Sequence, residues 1–171
     1  MLEKEFNIEL IDFCQSVVDE YFQTKEIDTS ICVGSFHIRT GSIPWWTESR
    51  KWKWQEYKRQ IDLVIGIEAT VDKKKMVIPL IAIELKSGKY LNTDELDKKS
   101  AIYGSLKETY PWVHTIFLHA DLEERNMGLA YVMRNSRQFD TVFTEWNEST
   151  QTLMKKLIKF KLEYFLEYWE L

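Results

Sequence analysis

The sequence predicts one α/β layered domain, on three observations. An amphipathic helix opens the chain, strand-like and helix-like runs alternate through its middle, and the apolar run Met76 to Ile83 suits a central strand covered on both faces. At 171 residues, with 44% hydrophobic and 14% aromatic side chains, the chain can bury a core without disulfides or a structural metal, and disorder is excluded. No repeat and no linker rich in Gly, Ser or Pro divides it, so residues 1–171 read as a single domain. Its core is expected at about 6–120 and a C-terminal extension at about 121–171.

Residues 6–22 place Phe6, Leu10, Phe13, Cys14, Val17, Val18 and Tyr21 at three- and four-residue steps, one face of a helix. Ile31 to Arg39 reads as a strand. Ser42 to Gln60 is aromatic and basic, and Pro44 is expected to break regular structure near its start. In Ile61 to Glu68, alternation sends Ile61, Leu63, Ile65 and Ile67 to one side and Asp62, Val64, Gly66 and Glu68 to the other. Asp72 to Lys75 makes a polar turn before the strand Met76 to Leu85, in which Leu80, Ala82, Glu84 and Lys86 are expected to share a face. Asn92 and Glu95 start a helix that runs through Leu106 and stops at Pro111, and Val113 to Ala120 is a further strand. A short helix near 122–136, a strand near Phe139 to Phe143 and an amphipathic helix from Ser149 to Trp169 complete the order α-β-β-β-α-β, then α-β-α. The tail helix presents Leu153, Leu157, Phe160, Tyr164 and Tyr168 as one stripe, for its own sheet or for a second copy.

The formal charge is 23 − 27 = −4, so no global basic field marks a nucleic-acid partner; such a partner has to be held by a local patch. Cys14 and Cys32 are too few for a disulfide framework and lack metal-type spacing, which suits a reduced compartment. Met1 to Ile8 lacks a signal pattern, and no apolar run approaches the roughly 20 residues of a membrane span, so a soluble cytoplasmic protein is expected. His37, His114 and His119 are too scattered for a zinc motif. The absence of a Gly-rich phosphate loop and of a G-x-S-x-G elbow disfavours nucleotide hydrolases and serine esterases.

The informative feature is Ile83-Glu84-Leu85-Lys86 at the end of the most hydrophobic run. A carboxylate-x-lysine triplet is expected roughly once by chance in a chain this long, so its weight comes from context. If residues 61–68 and 76–85 form a hairpin, the start of one strand lies beside the end of the other and Asp62 lands near Glu84. Two carboxylates about 4 Å apart repel by about 4 kcal/mol at an effective dielectric near 20. A divalent cation turns that cost into attraction, and an all-oxygen ligand set with retained waters suits Mg²⁺. Metal-assisted hydrolysis of a phosphodiester follows, with Lys86 orienting water or neutralising charge at phosphorus.

These residues resemble the PD-(D/E)XK, or restriction-endonuclease-like, nuclease superfamily. Asp62 matches the family's first acidic position and Glu84-Leu85-Lys86 its E-x-K, 22 residues later across one hairpin. The resemblance covers about residues 6–120. It implies an αβββαβ core with a mixed central sheet flanked by helices, and a Mg²⁺-dependent nuclease in which Mn²⁺ can substitute. It also lends the backbone carbonyl of Leu85 a ligand role. The proline that often precedes the Asp is absent, since position 61 is Ile. Many members carry an acidic residue on the first helix, for which Glu9 and Glu20 are both candidates.

Between Arg39 and Arg59 stand Arg39, Arg50, Lys51, Lys53, Lys58 and Arg59 against Glu48 and Glu56, a local +4. Trp45, Trp46, Trp52, Trp54 and Tyr57 are interleaved with them. Cations for phosphates and flat rings for bases describe a nucleic-acid surface, while tryptophans packed in the core under Lys and Arg stems are the equal alternative. Lys99 and Tyr103 share a helix face that can look toward the cluster, and Lys89 lies just past Gly88. The leading reading is a metal-dependent DNA endonuclease of restriction, mobile-element or phage type, acting as a homodimer. A DNA-junction resolvase and a catalytically silent binding or assembly module of the same fold are the alternatives.

Overall fold

Helix α1 (Glu3–Phe22) precedes three antiparallel strands, β1 (Ile31–Trp46), β2 (Trp52–Val71) and β3 (Lys74–Lys86). Helix α2 (Thr93–Thr109) crosses back to β4 (His114–His119), and β5 (Thr141–Phe143) leads into α3 (Glu148–Tyr168). The computed structural model describes residues 3–23, 25, 30–88, 91–122, 134 and 136–169. The helix expected near 122–136 falls almost wholly outside them. The strands form one mixed sheet in the order β1-β2-β3-β4-β5, parallel at β3–β4 and β4–β5. This is the expected α-β-β-β-α-β core with helices on both faces and a C-terminal helix. Among the described residues, no helix is long and apolar enough to cross a membrane.

Alternation along β2 and β3 splits the core into two layers. Leu63, Ile65, Ile81, Ile83 and Leu85 pack with Phe6, Leu10, Cys14, Val17 and Val18 of α1 and with Met154, Ile158 and Leu162 of α3. Val64 and Ala82 pack on the opposite side with Leu96, Tyr103 and Leu106 of α2. Helix α2 starts where the sequence places it, with the Asn92 side chain accepting from Asp94 N at 2.9 Å. Helix α3 begins slightly earlier than expected, at a capping box between Asn147 and Thr150.

Four expectations are corrected. Leu80 lies in the α1/α3 layer rather than beside Ala82, because the register slips between Ile65↔Ile81 and Gly66↔Pro79 and the extra residue resets the alternation. Ile61 packs in the α2 layer, opposite to Leu63, at the level of the register irregularity between Gly34 and Phe36 of β1. Pro44 does not interrupt structure: β1 is an edge strand, so a missing N–H there breaks no central ladder, and Pro44 pairs in register with Trp54. Helix α3 buries Met154, Ile158, Leu162 and Phe165, the stripe adjoining the one expected, and leaves Leu153, Phe160, Tyr164 and Tyr168 exposed.

The β2–β3 connection is tighter than expected. Asp72 and Lys73, with φ of 50° and 66°, form a two-residue turn between the paired Val71 and Lys74. At Gly66 a Cβ would stand 2.7 Å from both Ile78 O and Val77 Cγ1. The backbone oxygen cannot retreat without opening the ladder, so Gly66→Ala is expected to destabilise the fold by about 2 kcal/mol. Urea denaturation measures this, and an unshifted midpoint contradicts the close approach.

Candidate active site

The β2–β3 ladder runs from Val71↔Lys74 to Leu63↔Ile83, and Asp62 and Glu84 are the next residues of the two strands beyond it. Both side chains rise on the α2 side, Asp62 where β2 enters the core and Glu84 one residue before the last buried position of β3. Asp62 is held in place: its Oδ2 accepts from Leu85 N at 3.0 Å. Glu84 is 1% exposed. Burial, and then the charge of Asp62, push its carboxyl from 4.5 up to about 7, against the opposing pull of Lys99 and Lys86.

Two cationic and two acidic neighbours complete the cluster. Lys99 Nζ of α2 stands 2.7 Å from Glu84 Oε1 and pairs with it. Lys86 Nζ is 4.0 Å from the same oxygen, 2.6 Å from Glu95 Oε1 and 4.0 Å from Glu3 Oε1. Burial alone lowers Lys86, but its bond to Glu95 and the charges of Glu3 and Glu84 outweigh this and raise it. Tyr103, fully buried, faces the same carboxylates; burial and then their charges push its phenol well up. Glu3 and Glu95 were missed by sequence reasoning. Glu95 carried a signal only as a helix-start residue, and Glu3 none.

The first-helix candidates have other partners. Glu20 pairs with Lys155 and Lys159 of α3, at 2.6 and 2.9 Å, and Glu9 Oε1 accepts from Trp146 Nε1 at 3.0 Å. Helix α1 packs on the face of the sheet opposite to Asp62 and Glu84, so neither residue joins them. Among the described residues no group of three or more His, Cys, Asp or Glu side chains is placed to hold a metal ion. Two neighbouring carboxylates, one of them almost wholly buried and already drawing two ammonium groups toward it, nonetheless fit a hard, oxygen-seeking dication that keeps several waters.

The aromatic and basic segment is the outer half of the β1–β2 hairpin, a two-stranded arm. Its ladder continues from His37↔Gln60 to Trp46↔Trp52 and closes through Thr47 to Lys51, where Thr47 Oγ1 donates to Lys51 O at 2.9 Å. None of its tryptophans is core: Trp52 and Trp54 are 68% and 72% exposed, and Trp45, Trp46 and Tyr57 are also exposed. Arg50, Lys51, Lys53, Lys58 and Arg59 are exposed, whereas Arg39 is half-buried with Nη1 3.8 Å from Glu56 Oε1. The base of the arm meets α2, the helix that carries Lys99: Tyr57 and Arg59 line a cleft with Ala101, Ile102 and Ser105. Lys89 lies outside the described residues.

No family model matches the chain, and no curated protein matches it. Among solved structures it is similar to a chain of the native BbvCI A2B2 tetramer, at 10% identity and a TM-score of 0.49, over 88% of this chain and 66% of that one.

Proposed function

We propose that this chain is a Mg²⁺-dependent DNA endonuclease of restriction, mobile-element or phage type. The observation that carries the reading is the closeness of Asp62 to the buried Glu84 at the ends of β2 and β3, with Lys86 Nζ 4.0 Å from Glu84 Oε1. A carboxyl buried at the end of a hydrophobic strand costs stability in the metal-free fold, and perturbed groups of this kind cluster at functional sites.

Each side chain has a task. Asp62, fixed by Leu85 N–H, and Glu84, fixed by the β3 ladder, would hold the metal together with the Leu85 carbonyl. A bound Mg²⁺ would supply Lewis-acid contact to a phosphate oxygen and lower the pKa of a coordinated water. Lys86 keeps its proton and sits beside the carboxylates, so its Nζ orients the attacking water or balances charge on the phosphate. Lys99 neutralises Glu84 and stands ready to pair with a phosphate from α2. The arm carries exposed cations and rings out from the strand that bears Asp62, which suits phosphate pairing with stacking.

The test is incubation of the full chain with supercoiled plasmid and with branched DNA, in Mg²⁺ or in chelator. Nicking that needs the metal supports the proposal, and binding without cleavage in any divalent metal overturns it in favour of a silent module. For the arm, Lys51→Glu with Lys53→Glu is expected to weaken DNA binding about tenfold or more and to flatten the dependence of log affinity on log salt by roughly 2. Both residues are exposed, so thermal unfolding stays unchanged. Unaltered affinity and salt slope retire the assignment.

A further inference from the structure

Helix α3 turns one stripe to α1 and the sheet and carries a second on its outer side. Leu153, Leu157, Phe160 and Tyr164 follow at steps of four, three and four residues, the spacing of a two-helix seam. Leu157 is half-buried; the other three are exposed, Phe160 to 63%. Tyr168 prolongs the stripe, its ring stacked on Tyr164 at 5.9 Å. Contiguous exposed apolar surface of this kind marks an interaction site.

The charges beside the stripe identify its occupant. Lys156 precedes Leu157 and Glu163 precedes Tyr164, so both flank the seam on one side, two turns apart. Lys161 lies on the other flank, its Nζ 5.9 Å from the Phe160 and Tyr164 rings. Consider two copies running antiparallel, with Leu153 over Tyr164 of the partner subunit and Leu157 over Phe160 of the partner subunit. Lys156 then meets Glu163 of the partner subunit, twice by symmetry. Parallel copies instead set Lys156 against Lys161 of the partner subunit, like charge against like.

We propose that the outer face of α3 is a self-association surface, occupied by the same helix of a second copy of this chain running antiparallel about a twofold axis. Glu163 also lies 3.6 Å from Lys25 of its own chain and stays half exposed there, within reach of a second cation. The Asp62 and Glu84 carboxylates lie on the opposite side of the sheet, so assembly through α3 leaves both copies of that cluster open. The proposal is independent of what the cluster does.

Sedimentation equilibrium of the full chain, from micromolar to submillimolar concentration, tests it. A reversible dimer is expected. Phe160→Glu is expected to be monomeric where the wild type is dimeric, with unchanged circular dichroism because Phe160 is exposed. Lys156→Glu is expected to weaken association about tenfold, and Lys156→Glu with Glu163→Lys to restore it. That rescue distinguishes the antiparallel pairing from a merely apolar contact. A chain monomeric throughout overturns the proposal, as does a dimer indifferent to Phe160→Glu. Sedimentation with neutral lipid vesicles in place of self-association overturns it too.

Discussion

Glu84→Ala is expected to reduce Mg²⁺-dependent plasmid cleavage at least about a hundredfold, the size of loss that follows removal of one group stabilising developing charge. Removing Glu84 takes away the buried half of the opposed carboxylate pair and leaves Lys99, 2.7 Å from its Oε1, without its counter-ion. Metal affinity and local geometry both suffer, so DNA affinity measured in Ca²⁺ or chelator is the necessary companion. Cleavage is expected to fall while binding through the arm persists, because Trp52, Trp54, Lys51 and Lys53 are exposed far along the hairpin. Asp62→Asn is the second variant: it keeps an acceptor for Leu85 N–H and removes only the charge. Wild-type cleavage in both variants removes the cluster from the chemistry. Equal loss of binding and cleavage assigns it a structural task.

The second large effect is on stability. The folded carboxyl of Glu84 titrates at about 7 against an ordinary 4.5, chiefly because it is buried and secondly because Asp62 is near. Between those values the folded chain binds the proton and the unfolded chain does not, so the metal-free protein loses stability as pH rises. The gap is worth about 3 kcal/mol when complete, at about 1.4 kcal/mol per pH unit. In chelator, urea denaturation at pH 5 and pH 8 is expected to show this decline, and Glu84→Gln to remove most of it. The comparison isolates Glu84 from His114 and His119, whose lowered pKa values also shape the profile. Saturating Mg²⁺ at pH 8 is expected to restore stability, since a ligand that binds only the folded state stabilises it by mass action. A profile that Glu84→Gln leaves unaltered shows that the carboxyl is not held near neutrality.

The two effects share one origin. Burial makes Glu84 costly to ionise without a cation, and the same burial would make a cation's attraction strong, because little water screens it. Lys99 and Lys86 partly stand in for that cation, which is why the carboxyl is raised to about 7 rather than further.

The cluster was legible because strand periodicity is a local property. A period of two sends Glu84 and Lys86 to one side, and a short turn at Asp72 and Lys73 folds β2 onto β3, so Asp62 is brought to the end of β3, while the residue inserted at Leu80 shifts its level from Ile83 to Glu84. The cap at Asn92 is equally local and equally readable. The sequence by itself thus determined the element order among the described residues, the two-sided burial of β3 and the approach of Asp62 to the end of β3. Tertiary structure decided the rest. It spliced one residue into the ladder at Leu80, gave Glu9 and Glu20 to Trp146 and α3, and brought Glu3 and Glu95 to Lys86. It also held the tryptophans of the β1–β2 arm in solvent and chose which stripe of α3 to bury. Composition could not separate those outcomes, because a tryptophan or a leucine is equally apolar wherever it stands. Which one leaves water depends on the neighbours that arrive from distant parts of the chain.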